Sequence, residues 1–249
     1  MTANPLPVPR RRAAHPPNFS VMNPAYVDQL SVAQARMIVE VLRRGGVVWY
    51  MSDCGYALGA DPRHPVGVAA LDALLDHAGH PIPVTVADES LAALVVRFDD
   101  TVRLLTGKFW PGGLGLHTKA STRLGRLLAR RLHAKGGVVV RVSRSAIERQ
   151  ISATARMPIT SAALRVAGVL VTNTEMALAI AVRLHEERTP GLRTIFVRDL
   201  RRRVPLHEHS TMLSVIGGQV TTLRPGSVDL SDVQRTVASN HGVDWGDAT

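Results

Sequence analysis

Residues 47–59 read VVWYMSDCGYALG, in which five apolar residues precede a short polar turn and a second apolar run. The run 47–50 predicts a buried strand, because it is short, apolar and preceded by Gly45-Gly46. Those glycines end a predicted helix that begins after Ser31, where Ser31 and Gln34 stand at capping-box spacing. The apolar face of that helix is formed by Val32, Ala35, Ile38, Val39 and Leu42.

Helical and extended patterns alternate over the rest of the chain. Helices are predicted at 67–78, 89–95, 145–156, 174–188 and 230–240. Extended segments are predicted at 83–87, 114–116, 137–142, 158–160, 194–197, 211–216 and 219–223, the last two joined by Gly217-Gly218 as in a hairpin. This mixed order predicts an α/β (α+β) domain built on a sheet.

The chain divides into three parts. Residues 1–30 are rich in proline and arginine and lack periodicity, so we expect a flexible arm. Residues 31–242 are expected to form the domain, and residues 243–249 a C-terminal tail. A length of 249 residues suits one domain with a small appendage.

Composition limits the class of protein. A hydrophobic content of 45% supplies a full core. Runs of eighteen apolar residues and a secretory signal are both missing from the sequence, so we expect no membrane association and a cytoplasmic location. The single cysteine, Cys54, fits a reducing compartment.

The charge is strongly positive. Thirty Lys+Arg against twenty Asp+Glu give a formal net charge of +10, and only three of the basic residues are lysines. Arginine suits bidentate contacts with phosphates, so a nucleotide or nucleic acid is one interpretation. An arginine-biased genome is the other, and composition leaves both open.

Four short motifs occur in order between residues 36 and 230. The first is MSDCGYALG at 51–59, and the second is FWPGGL at 109–114. The third pairs VVRV at 139–142 with PITSAA at 158–163, and the fourth pairs HST at 209–211 with LRPG at 223–226.

These motifs resemble those of the YrdC-like family, which includes the threonylcarbamoyl-adenylate synthases. That family has Pro-Thr-Asp/Glu-Thr-x-Tyr-Gly-Leu-Gly, Trp-Pro-Gly-Pro-Leu-Thr, Val-Arg-x-Pro with Ser-Ala-Asn, and Ser-Thr with Leu-Arg-Pro-Gly. The resemblance implies a YrdC-like twisted mixed open sheet with flanking helices and a basic concave face. It also implies ATP and Mg²⁺ as cofactors, with threonylcarbamoyl-AMP formed for tRNA modification, or carbamoyl-adenylates handled for other acceptors.

The resemblance implies a set of nucleotide- or substrate-binding residues. Arg141 and Arg224 would contact phosphates, Ser161 and Ser210 would donate hydroxyl hydrogen bonds, and Tyr56 would line the pocket. The full set is Ser52, Cys54, Tyr56, Arg141, Ser161, Ser210 and Arg224. Fixed cations and hydroxyl donors suit this chemistry, because attack of a carbamate oxygen on the α-phosphorus spreads negative charge over the phosphates.

Several family positions are altered. Residues 78–81 read AGHP where the family has Lys-x-Arg, so His80 is either a substitute phosphate contact or an exposed loop histidine. Ala163 replaces the asparagine of Ser-Ala-Asn, and Gly115 and Cys54 replace threonines. Each lost charge-assisted contact costs about 1.5–3 kcal/mol, so the family reaction should be very weak unless other groups compensate. A divergent enzyme and a protein that binds without catalysis both fit, and we assign no catalytic residue.

Two basic stretches suggest RNA as an alternative partner. Leu124, Leu127, Leu128 and Leu132 predict one face of a helix over 121–135. The arginines predicted to bind RNA are Arg126, Arg130, Arg131, Arg201, Arg202 and Arg203. Aromatic residues are 4% of the chain, so such binding would read the shape and phosphates of tRNA or double-stranded RNA.

Three hypotheses follow from these observations: a carbamoyl-adenylate enzyme, a non-catalytic RNA-binding relative, and a regulatory subunit that keeps only the fold. The alternative to RNA binding is that the arginines of the basic stretches are merely solvated. His207-Glu208-His209 gives too few ligands for a metal site, so none is predicted.

Overall fold

The computed structural model describes residues 15–75, 82–201 and 209–239, and the backbone of residues 244–246. The helices are α1 (Val32–Arg43), α2 (Pro65–Leu74), α3 (Glu89–Val95), α4 (Asp100–Phe109), α5 (Ala146–Ala155), α6 (Thr174–Arg188) and α7 (Leu230–Ala238). The strands are β1 (Phe19–Met22), β2 (Val47–Met51), β3 (Tyr56–Gly59), β4 (Val84–Thr85), β5 (Leu114–Lys119), β6 (Gly137–Arg141), β7 (Ile159–Thr160), β8 (Ala162–Ala163), β9 (Arg165–Val166), β10 (Val169–Leu170), β11 (Thr194–Val197), β12 (Thr211–Ile216), β13 (Gln219–Arg224) and β14 (Asp244–Gly246).

The strands form two larger mixed sheets and one small hairpin. The five-stranded sheet has the order β1-β11-β2-β3-β8, with β1, β11 and β2 parallel and the other pairs antiparallel. The seven-stranded sheet has the order β14-β13-β12-β5-β6-β4-β7. Strands β9 and β10 pair with each other. The prediction of a mixed α/β domain on an open sheet is confirmed.

Helices pack on both large sheets, and α2 and α6 pack against Trp49, Leu58 and Phe196 of the five-stranded sheet. Helices α1 and α5 pack on the five-stranded sheet through Ile38, Ile151 and their neighbours. The capping box predicted at the start of α1 is present, since Ser31 and Gln34 each bond the other's backbone N–H. Helices α4 and α7 pack on the seven-stranded sheet against Leu116 and Leu213.

Strand alternation exposes the opposite face of the seven-stranded sheet to a cavity. Successive side chains of a strand point to opposite faces. Leu114 and Leu116 of β5 therefore join the core under α4 and α7, whereas Gly115 and His117 line the cavity. On β12, Leu213 points to the same core and Ser214 lines the cavity.

The helix predicted over 121–135 is wrong. This segment contains two short 3-10 turns, Leu124–Leu127 and Arg130–Leu132, joined by extended backbone. The Ser121 hydroxyl accepts hydrogen bonds from the backbone N–H groups of Arg123 and Gly125, which interrupts a regular helical pattern. Leu128 and Leu132 are nevertheless buried in the core.

Both termini of the domain extend beyond the predicted limits. Residues 19–22, predicted as part of the arm, form β1, in which Phe19 pairs with Thr194 of β11. Residues 244–246, predicted as tail, form β14, in which Asp244 pairs with Gln219 of β13. None of the described helices has the length and apolar character needed to cross a membrane.

Candidate ligand-binding site

A cavity of about 820 Å³ lies between the two large sheets. Its wall on one side comes from β5, β6, β12 and β13, and on the other from β3 and β8–β10. The basic residues that line it are His117, Lys135, Arg141, Arg165, His209 and Arg224, whereas no aspartate or glutamate of the described chain does. The cavity therefore favours an anionic ligand.

Arg224 and Ser210, both predicted site residues, are in contact. The Arg224 guanidinium donates to the Ser210 carbonyl through Nε and Nη2, at 3.2 and 2.9 Å, and to Ser210 Oγ at 3.0 Å. Burial, and then the charges of Arg165 and Arg141, lower the pKa of Arg224 to about 10. The group thus stays charged at neutral pH under unfavourable repulsion, which a bound anion would relieve.

Arg165 lies next to the same pair. Its Nη2 is 3.3 Å from Nδ1 of His209. Burial, and then the charges of Arg165 and Arg224, lower the pKa of His209. The imidazole accepts from Arg165, and no carboxylate within the described parts of the chain forms an ion pair with that guanidinium. Arg165 was not predicted, and β9, which carries it, follows directly on the third motif.

Arg141 lines the cavity, but its charge is neutralised by ion pairs with two carboxylates. Nη1 lies 2.8 Å from Asp53 Oδ1, and Nη2 lies 3.4 Å from Glu148 Oε2. Burial opposes the cation, but Asp53 and Glu148 outweigh it and raise the pKa of Arg141. Because the guanidinium is already neutralised, the predicted phosphate contact of Arg141 finds no support.

Ser161 also belongs to this network. Its hydroxyl donates to Glu148 Oε1 at 2.6 Å, and the Tyr50 hydroxyl donates to the same oxygen at 3.1 Å. Burial raises the pKa of Glu148, while the charge of Arg141 opposes that rise. The hydrogen of the Ser161 hydroxyl is therefore used inside the protein, which leaves its oxygen as an acceptor towards the cavity.

Ser52 and Cys54 line the cavity at the turn after β2. The Ser52 hydroxyl donates to the Gly55 carbonyl at 2.7 Å and accepts from the N–H groups of Cys54 and Gly55. Ser52 therefore builds the turn that places Cys54. Burial raises the pKa of the Cys54 thiol to about 11, with Arg141 opposing and Asp53 adding to the rise. A thiol protonated at neutral pH is a poor nucleophile.

The prediction that Tyr56 lines the pocket is wrong. Its ring is completely buried and stacks on Phe196, with ring centroids 5.1 Å apart. Its hydroxyl donates to Thr174 Oγ1 at 3.0 Å and accepts from the Asp199 N–H at 2.9 Å. The Tyr56 side chain ties β3 to α6 and to the end of β11 instead.

A histidine and a serine face each other on neighbouring strands of the cavity wall. His117 of β5 and Ser214 of β12 are register partners, and Nδ1 of the ring lies 3.1 Å from Ser214 Oγ. Nε2 lies 2.7 Å from the Ala134 carbonyl oxygen. Neither residue was predicted, because none of the four motifs includes them and a single sequence does not reveal strand register.

Asp53 and Glu148 were also missed, although a signal for each was present. Asp53 lies inside the first motif. Glu148 stands on the apolar face of α5 beside Ile147 and Ile151, where a charged residue requires a buried partner. That pattern identifies Glu148 as a buried charge that needs a partner, but it does not identify Arg141 as that partner.

Of the arginines predicted to bind RNA, Arg126, Arg130, Arg131 and Arg201 lie outside the cavity lining. Arg131 pairs with Asp72, with Nε 2.9 Å from Oδ2, and Arg201 pairs with Asp199 at 2.8 Å. Arg126 and Arg130 are exposed. Arg202, Arg203 and His80 lie outside the described residues. RNA binding stays a prediction.

The Mg²⁺ implied by the resemblance does not fit the cavity as a protein-held ion. Magnesium is usually bound through one or two carboxylates together with phosphate oxygens and water. Of the described carboxylates, Asp53 and Glu148 lie near the cavity, but both form ion pairs with Arg141. The described residues contain no group of three or more His, Cys, Asp or Glu arranged to hold a metal.

Comparison with known families agrees with the motifs. Residues 40–226 match the family model Sua5_yciO_yrdC, described as "Telomere recombination". The chain belongs to the Sua5/YciO/YrdC family. No curated protein matches the sequence.

Solved structures share this family fold. P. abyssi Sua5 complexed with L-threonine is 17% identical with a TM-score of 0.69, over 92% of this chain and 62% of that one. E. coli YciO is 20% identical with a TM-score of 0.68, over 85% of this chain and 97% of that one. Full-length HypF in its phosphate- and nucleotide-bound form is 16% identical with a TM-score of 0.61, over 79% of this chain and 29% of that one. At these identities the likeness concerns the fold.

Proposed function

We propose that this Sua5/YciO/YrdC family member binds an adenine nucleotide or adenylate in the cavity between the sheets, and serves carbamoyl-adenylate chemistry. The observation that carries the proposal is a cavity lined by cations, with no carboxylate among its described lining residues. Phosphate oxygens would bind at Arg224 and Arg165, where the pKa of Arg224 is lowered by burial and like charge. In a partly desolvated site such charge-assisted contacts are the strong ones.

Two family relatives support the ligand class. One was solved with L-threonine and the other in a phosphate- and nucleotide-bound form. The acceptor is proposed to differ from threonine, because Gly115, Cys54 and Ala163 line the cavity where the family motifs have threonines and an asparagine. A Cβ at Gly115 would contact Met212 Cγ at 3.5 Å and Val139 Cγ1 at 3.7 Å, so its surroundings are apolar.

The roles of the chain's own groups follow from their contacts. Arg224 would neutralise charge that develops on the phosphates, and Ser210 would hold its guanidinium in place. The Arg141–Asp53–Glu148 network would fix the Ser161 side chain at the wall of the cavity. Magnesium would arrive with the nucleotide phosphates.

Calorimetric titration with ATP and Mg²⁺, with and without L-threonine and bicarbonate, tests the proposal. We expect saturable binding that Arg224→Ala weakens by about 1.5–3 kcal/mol, or roughly ten- to 150-fold. Arg235→Ala is the control, because Arg235 lies on α7 at the opposite face of the seven-stranded sheet. No binding at millimolar ATP, or equal loss in both variants, would reject the nucleotide site and favour the RNA-binding alternative.

A further inference from the structure

Two polar parts of the cavity wall are separated along β12 by apolar residues. Arg224 and Ser210 stand at one end, and Ser214 stands four residues after Ser210, on β12, beside its register partner His117 of β5. At about 3.3 Å per residue, the two ends are about 13 Å apart. Between them the wall includes Gly115, Met212 and Leu223. The cavity therefore suits an elongated ligand with an anion at one end and a polar group at the other.

The hydrogen bonds of His117 determine which polar group fits the second end. The Ala134 carbonyl, 2.7 Å from Nε2, can only accept, so Nε2 carries the ring hydrogen. In the tautomer with its hydrogen on Nε2, Nδ1 is an acceptor, and the Ser214 hydroxyl, at 3.1 Å, donates to it. The Ser214 hydrogen is thus used inside the protein, and its oxygen can only accept from a ligand.

Resting on the proposed nucleotide site, we infer that Ser214, fixed by His117, selects the base of the bound nucleotide by accepting a hydrogen bond from its exocyclic amine. The span between the polar ends is comparable to that between the phosphate and the exocyclic amine of an extended purine nucleotide. An oxo group at the same position of the base has no hydrogen to donate, and it would face the lone pairs of Ser214. Thr221, the register partner of Ser214 on β13, lines the same end.

The surroundings of the pair favour this assignment. The His117 side chain is 4% exposed, so water competes little for its hydrogen bonds. A site built to accept from a donor discriminates against the isostere that lacks it, because the oxygen of the half-buried Ser214 is left unpaired once the ligand covers it. No Phe, Tyr or Trp ring among the described residues lines the cavity, so stacking on a large aromatic ring does not add to the selectivity.

Calorimetric titration of the full-length protein with AMP, IMP and inorganic pyrophosphate tests the inference. IMP differs from AMP in carrying an oxo group where AMP has the exocyclic amine. We expect the parent protein to bind AMP roughly five- to tenfold more tightly than IMP. Ser214→Ala should abolish that preference without changing the affinity for pyrophosphate, and Ser214→Thr should restore it. Ser20→Ala, at an exposed position of β1, is the control.

A second variant tests the direction of the hydrogen bond. His117→Leu removes the acceptor for the Ser214 hydrogen, so the hydroxyl can donate to the oxo group, and the preference for AMP should fall or invert. A preference for AMP that persists in Ser214→Ala, or that is missing from a parent protein that binds pyrophosphate, overturns the inference alone. A parent protein that binds neither pyrophosphate nor nucleotides overturns the proposed function as well.

Discussion

At the scale of single residues, the buried carboxylate of Glu148 is the most constrained group of the site. It is fully buried, contacts Arg141 and accepts from Ser161 and Tyr50. Buried ion pairs are costly to break, because the remaining charge loses its compensation. The cavity wall near Ser161 therefore depends on a residue that does not itself line the cavity.

Glu148→Gln should destabilise the protein. We expect the free energy of unfolding to fall by about 3 kcal/mol, the low end for a broken buried pair, because Asp53 still pairs with Arg141. Urea unfolding followed by circular dichroism measures it. Glu40→Gln is the matched control, since Glu40 pairs with Arg44 on the exposed surface of α1 and should cost less than about 1 kcal/mol. Equal losses in the two variants would contradict the role of the network.

Cys54 provides a pH-dependent test of the cavity. Burial raises the pKa of its thiol to about 11, and the thiolate is the reactive form. At pH 7.5 the native protein should react with iodoacetamide much more slowly than the urea-unfolded chain, whose cysteine has an ordinary pKa near 8.5. The native rate should keep rising as the pH approaches about 11. Since Cys54 is the single cysteine, labelling needs no background variant. A native rate that levels off near pH 8.5 would contradict the raised pKa.

The residues of the site were only partly predictable. Ser52, Cys54, Arg141, Ser161, Ser210 and Arg224 do line one cavity, as the motifs suggested. The use of each group was not predictable, because its partner is distant in sequence: the hydroxyl of Tyr56 contacts Thr174, and Arg141 contacts Asp53. Hydrogen-bond direction decides whether a serine faces the ligand or the protein, and a motif carries no information about it.

At the scale of elements, two glycines differ in how much space surrounds them. A Cβ at Gly46, between α1 and β2, would lie 2.5 Å from the Arg193 carbonyl oxygen and from Val41 Cγ1. A Cβ at Gly115 of β5 would find ordinary contacts at 3.5 Å and beyond. Gly46 is therefore required by close packing, whereas Gly115 is not.

Gly46→Ala should lower the free energy of unfolding by about 1–3 kcal/mol, because the backbone must shift. Gly115→Ala should change it by less than about 0.5 kcal/mol. Thermal or urea unfolding of the two variants side by side measures the contrast. The packing argument would be refuted by a Gly46→Ala protein as stable as the parent.

Regular elements were predicted where one face was consistently apolar. Helices α1 and α6 and strands β2 and β11 lie where periodicity placed them. Residues 121–135 were wrongly predicted to be a helix, because leucines in short turns can have the spacing of a helical face. The side chain of Ser121 also accepts from backbone N–H groups that a helix would use. Strand β1 lies in a segment that resembles a proline-rich arm, and only its pairing with β11 makes it a strand.

At the scale of the whole molecule, the position of the cations separates the two candidate functions. Those of the cavity lie between the sheets, whereas Arg126 and Arg130 lie on the exposed surface. Salt screens exposed charges far more than partly buried ones. The family membership inferred from four motifs is confirmed. The salt dependence of binding distinguishes a nucleotide site in the cavity from an RNA site on the exposed surface.

ATP affinity should fall by less than about tenfold between 50 and 200 mM salt, since the cavity makes few and partly buried phosphate contacts. RNA binding through six to ten surface contacts would lose about 10³–10⁵ over the same range. Titrations with ATP and with tRNA at both salt concentrations measure the two slopes. A salt dependence for ATP as steep as that expected for RNA would place its site on the exposed surface.

The order of the five-stranded sheet also governs when the chain can fold. Strand β11 lies between β1 and β2, so β1 and β2 stay unpaired on that side until residue 197 has been made. Pairings of such long sequence separation form slowly, and their unpaired edges promote aggregation in the meantime. A ribosome-bound fragment that ends before residue 194 would expose the VVWY edge of β2. Efficient production in the cell should accordingly depend on chaperones that act during translation.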